Sequence, residues 1–241
     1  MQFYCSKAAA EALETTQKGK VKSWLEAAPV PEAAGPWAWQ VHAIKLARQN
    51  VFIVMERETR FAMVFWGIKK GDGETLLKQF YERMVNLLLC MNQDVNWLNA
   101  ADADVAIEQI LQRNKRYCFV AGVDRSVQTH INEVARFCEG EVHEIGSLLM
   151  DADEAAGFDE AMNDTLRSVR GGDYFYPNAV FFCSWARQYA GASDELCLEL
   201  EARFQRVRHE RMAMRVAKHS DSSIPVYEQI MAVLQGKGLK P

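Results

Sequence analysis

The chain has 241 residues, 49% of them apolar, enough to bury a core without covalent staples and fitting one large domain or one domain with an appendage. Its 28 basic and 32 acidic residues leave a net charge of −4, which excludes a globally basic nucleic-acid binder but not a local basic stripe. The longest apolar run, Phe61 to Ile68, is far shorter than the ~20 residues a membrane helix needs, and Met1 to Ala10 carry neither a basic leader nor a signal-type hydrophobic block. No membrane association and a cytoplasmic location are therefore expected.

Met1 to Cys5 reads as a short strand, followed by an alanine-rich helix from Lys7 to about Glu14. Ala27 to Pro36, with three prolines and a glycine, reads as a loop. Trp37, Trp39, Val41 and Ala43 alternate with Gln40 and His42, the pattern of a half-buried strand. Val51 to Met55 and Phe61 to Ile68 are continuous apolar runs joined by the charged connector Glu56 to Arg60, and predict central strands of an antiparallel meander. Gly71-Asp72-Gly73 ends the sheet and opens a helix with the stripe Leu77, Phe80, Tyr81, Met84 and Leu88.

A second helix is expected from Ala101 to Arg113, burying Val105, Ile107, Ile110 and Leu111. Tyr117 to Val123 predicts a strand, and Asp124 is placed to cap a helix with Val127, Ile131, Val134 and Phe137 on its inner face. Between Glu139 and Gly172 the pattern weakens into acidic and glycine-containing segments that read as irregular and in part surface-facing, before the aromatic cluster Tyr174-Phe175-Tyr176. Ser193-Asp194-Glu195 starts a long helix to about His219, with a shorter one from Pro225 to Leu234. The expected class is α+β: a mainly antiparallel sheet covered by helices over residues 1–190, and a helical hairpin over 191–241.

The tests for chemistry fail in turn. His209-Glu210 and His143-Glu144 begin a zincin motif, but Ala213 and Ser147 stand where the second histidine must be. The acidic stretch Asp151, Asp153, Glu154 lacks the glycine and terminal carboxylate of a calcium loop, with Ala156 and Met162 there instead. Leu76 replaces the third glycine of a dinucleotide fingerprint. His130 shares its helix with core residues and reads as a structural histidine. The cysteines at 5, 90, 118, 138, 183 and 197 form no CxxC pair and read as reduced, mostly buried thiols. No metal and no cofactor are expected.

Two features remain. Asp124, Arg125 and Ser126 lie at a strand-to-helix junction, where backbone donors and an arginine could hold an anion, assisted by Lys69 and Lys70. The long helix carries Arg203, Arg206, Arg208, Arg211, Arg215 and Lys218 against Glu201 and Glu210, opposite a seam of Leu196, Leu200, Phe204, Val207 and Met214.

Trp37-Ala38-Trp39-Gln40-Val41, then Arg48 to Val54, then Phe61 to Lys70 resemble the opening of a bacterial, phage and plasmid family of unknown function. Asp124-Arg125-Ser126 with Asn132-Glu133 is similar to that family's second motif, and Met162-Asn163-Asp164-Thr165 to its third. The resemblance covers, in patches, roughly the first 180 residues and implies a shared fold and a mobile-element setting, not a reaction. The expected function is a noncatalytic interaction module contacting a host protein or a second copy. Nucleic-acid binding by the basic helix and an enzyme using the anion site are the alternatives.

Overall fold

Strands that are apolar on both faces need a covering layer on each side, and the chain supplies both. The computed structural model describes residues 1–222 except 18, 30, 32–34, 36 and 170. The chain divides into two compact units, Met1–Glu201 and Ala202–Pro241. The expected helix from Pro225 to Leu234 lies outside the described residues.

In the first unit, β1 (Gln2–Cys5) and the helix α1 (Lys7–Ala12) are followed by the small strands β2 (Thr15–Gln17), β3 (Lys20–Lys22) and β4 (Leu25–Glu26). The meander follows as β5 (Ala38–Leu46), β6 (Gln49–Glu56) and β7 (Ala62–Ile68). Next come α2 (Gly73–Val95), α3 (Ala100–Arg113), β8 (Cys118–Ala121), α4 (Arg125–Ile145) and α5 (Ala152–Asn163). The short strands β9 (Arg167–Ser168) and β10 (Tyr174–Phe175) precede α6 (Pro177–Tyr189) and α7 (Asp194–Ser222).

The α+β class holds, but the sheet is mixed rather than mainly antiparallel. Its order is β4-β8-β1-β5-β6-β7. The pairs β5/β6 and β6/β7 are antiparallel as expected, whereas β4/β8, β8/β1 and β1/β5 are parallel. The cause is insertion of the first strand between β5 and β8, with helical crossovers returning the chain in the same direction.

On one face, Phe80 of α2 and Phe181 of α6 meet Phe3, Trp39, Phe61 and Phe65, with Phe61 and Phe181 stacked at 4.2 Å. On the other, Val51, Ile53, Met55, Ala62, Val64 and Trp66 pack with Val127, Ile131, Val134 and Cys138 of α4 and Phe158 of α5. β5 buries Trp39, Val41 and Ala43 on one face as expected, and on the other face Gln40 is buried while Ala38, His42 and Ile44 are partly exposed. Gln40 is 0% exposed beneath α4, accepting from Asp124 N at 2.7 Å and donating to Gln128 Oε1 at 3.0 Å.

β7 is an edge strand, not a central one, and α5 closes its edge with side chains. Asn163 Oδ1 accepts from Ala62 N at 2.8 Å, its Nδ2 donates to Ala62 O at 2.7 Å, and Asp159 Oδ1 accepts from Val64 N at 2.8 Å. A free edge is a template for wrong pairing, and these bonds occupy it at Ala62 and Val64. Asp159 is fully buried and paired with Arg83 of α2 at 2.9 Å; burial pushes its carboxyl up to about 7 against the pull of Arg83.

The expected inner faces shift at several points. α3 buries Ala103, Ala106, Ile107 and Ile110, leaving Val105 and Leu111 exposed. In α4 Cys138 takes the inner position, and Phe137 is exposed. The stretch from Glu139 to Gly172 is largely helical, because α4 continues to Ile145 and Asp151 caps α5 through Asp153 N and Glu154 N.

Candidate functional site

The junction of β8 and α4 is built around two carboxylates. Glu56, at the end of β6, is buried, and its Oε2 accepts from Glu58 N, Thr59 N and Thr59 Oγ1 at 3.0, 2.7 and 2.8 Å. Burial raises its pKa, opposed by these bonds. The turn it shapes holds Arg60 at φ 60° and sends two arginines toward α4. Arg57 Nη2 donates to Asp124 Oδ2 at 3.3 Å, with its guanidinium 4.6 Å from the Tyr4 ring centroid. Arg60 Nη2 donates to Ser126 Oγ at 3.1 Å, and buried Arg167 donates to the carbonyls of Arg60 and Met162.

Asp124 closes the helix end with its own charge. Its Oδ1 accepts from Ser126 Oγ at 2.6 Å, Ser126 N at 2.8 Å and Val127 N at 3.3 Å. The Ser126 hydroxyl, the backbone donors and Arg57 hold its carboxyl down at about 2. The place an external anion would take at this helix start is occupied by an internal carboxylate. The Ser126 hydroxyl donates to Asp124, a carboxylate whose low pKa makes it a weak base, and accepts from Arg60. His130 pairs with Glu133 at 3.3 Å.

The structure brings the expected anion-site residues together only in part. Asp124, Arg125 and Ser126 are contiguous, with Arg125 exposed. Lys69 and Lys70 follow Ile68, which pairs with Asn50, whereas Ala62 pairs with Met55 next to the arginine turn. The lysines stand at the far end of β7, about 20 Å along a strand of this length. Arg57 and Arg60 supply the cations instead. The sequence signal for them was the connector Glu56 to Arg60 itself, where an acid followed three residues later by a threonine can fold the turn back on its own backbone.

The second candidate is α7. Ser193 starts it, with its Oγ accepting from Leu196 N at 3.2 Å. Cys197, Leu200 and Phe204 are buried, a set to which the expected seam had not assigned Cys197. Their 3-4 spacing continues as Val207, Arg211 and Met214, yet no residue from 205 to 214 is buried. Met212 and Met214 are exposed at 65% and 63%. Arg206 is exposed, and Arg203, Arg208 and Arg211 are partly buried; the side chains of Arg215 and Lys218 lie outside the described residues.

Among the described residues, no cluster of three or more histidines, cysteines or acids is arranged to hold a metal ion, and no helix is long and apolar enough to cross a membrane. A family model described as Domain of unknown function (DUF6933) matches residues 2–180, from β1 into α6. No curated protein and no solved structure matches the chain. The match spans most of the α+β unit, and the chain belongs to that family of unknown function.

Proposed function

We propose that the protein is a noncatalytic interaction module that engages an acidic protein surface through α7. The observation that carries this is that Val207 and Met214 continue the spacing of Leu200 and Phe204 along a stretch, 205–214, with no buried residue. A single helix segment of this length is marginal in water without a packed face. Exposed Met212 and Met214 supply adaptable apolar contact, and the surrounding arginines supply charge complementarity.

The charge favours a different protein over a second copy. Between 203 and 218, six fixed cations stand against Glu210 alone, so two such helices side by side would repel. The resemblance to phage and plasmid proteins supports a host protein as the partner. The occupied helix start and engaged Ser126 weigh against an enzyme working at Asp124, Arg125 and Ser126. Nucleic-acid binding by the same arginines is the second reading, since they could follow a phosphate backbone, but it leaves the exposed methionines without a role.

The test is affinity capture by the full chain from nuclease-treated lysate of the organism that carries it, beside the variant R206E/R211E/R215E. A stoichiometric protein held by the native chain and lost by the folded variant supports the reading. Recovery that vanishes with nuclease and falls steeply with salt transfers the surface to nucleic acid.

A further inference from the structure

Cys183 of α6 and Cys197 in the first turn of α7 are both fully buried, and each sulfur faces the other's backbone. Cys183 Sγ lies 3.5 Å from Cys197 O, and Cys197 Sγ lies 3.7 Å from Cys183 O. Such reciprocity sets the two side-chain arms alongside each other. A disulfide needs Cα atoms within about 7 Å, and the two sulfur-to-carbonyl contacts point these side chains toward such a closure. By contrast, Cys5 and Cys118 sit on neighbouring strands three residues out of register, with Cys118 opposite Gln2 and Cys5 opposite Ala121.

The hairpin around the pair suits reversible closure. Gly191, at φ 69°, turns the chain, and Ala192 N donates to Ala186 O at 3.0 Å. The outer fastening is the exposed ion pair of Arg187 with Asp194 at 2.8 Å, a weak latch in water. Local opening of that turn is the route by which an oxidant would reach Cys197 with the sheet intact.

We propose that Cys183 and Cys197 form a redox couple that closes to an intramolecular disulfide and pins the root of α7 to α6. The oxidant is a small-molecule disulfide. One protein thiolate attacks it, forming a mixed disulfide and expelling one small thiolate; the second protein thiolate displaces the other. One protein S–S bond forms as the reagent's S–S bond is reduced, and the two thiol protons finish on the two released small thiols. The pairing does not depend on what α7 binds.

The test uses the full chain carrying Cys90→Ser, which removes the exposed thiol of α2. It is incubated with glutathione disulfide, the remaining thiols are alkylated, and the protein is digested with trypsin. Arg187 lies between the two cysteines, so cleavage separates residues 171–187 from 188–203, each with one cysteine. The expected product is these two peptides joined, lighter by two hydrogens and released by dithiothreitol. Amide exchange over 194–200 is expected to slow in the oxidised chain. Alkylation of both cysteines after oxidation in mild denaturant, where the turn opens, overturns the proposal, as does joining of either to Cys5, Cys118 or Cys138. The variant C90S/C183S/C197S should show no change in exchange on oxidation, and an equal slowing there would also overturn it.

Discussion

Substituting Asn163 with alanine tests the closure of the sheet edge. Ala62 is 1% exposed, and both of its edge-facing backbone groups are satisfied by this one amide, at 2.8 Å and 2.7 Å. Alanine leaves a buried N–H and a buried C=O without partners, at about 1–3 kcal/mol each, and so about 2–6 kcal/mol together. That is a large part of the roughly 5–15 kcal/mol by which a domain is stable. Urea unfolding should show a lower midpoint with an unchanged slope, and the Ala62 amide should lose most of its protection from exchange. Asn163→Asp, which keeps the acceptor but not the donor, tests the two bonds separately and should leave the amide better protected than alanine does. A loss below about 0.5 kcal/mol, in the range of ordinary surface substitutions, would refute the reasoning.

Asp159 should make stability depend on pH. Its folded pKa is raised from 3.8 to about 7, so the folded chain keeps a proton that the unfolded chain has released. This contribution is full below about pH 4 and is lost as pH rises through about 7, on the order of 4 kcal/mol across the window. Urea titrations from pH 4 to 8 should show that fall in the native chain and not in Asp159→Asn. Asp124 has the opposite sign, its pKa lowered from 3.8 to about 2, so its contribution is lost as pH falls through that range. Asp124→Ala should cost about 1–2 kcal/mol as a lost helix cap, measured by thermal melting, while leaving partner capture unchanged.

The residues that announced themselves in the sequence are those whose partners are near or whose faces differ. The meander from Ala38 to Ile68 was legible because strand-forming apolar runs alternate with turn residues, and α2 because Asp72 caps a regular stripe. α6 was not, because Phe181, Phe182, Cys183, Trp185 and Ala186 are buried around most of its circumference and leave no polar face to mark a period. The parallel pairing of β1 was equally hidden, since its partners, β5 and β8, lie far along the chain. At the α4 junction, the cap Asp124 was evident but its arginines were not: a charged connector reads as a solvated turn, yet Glu56, Thr59 and Arg60 are buried. Asn163, in a stretch without marked periodicity, takes its role from the edge of β7, far away in the chain.

The most direct measurement is a calorimetric titration of the captured partner with the native chain and with R206E/R211E/R215E, both first shown to melt alike. The account predicts a loss of about tenfold or more in affinity for the variant, with weaker binding of the native chain as salt rises. Equal affinity of the two chains would contradict the assignment of α7 as the interaction surface.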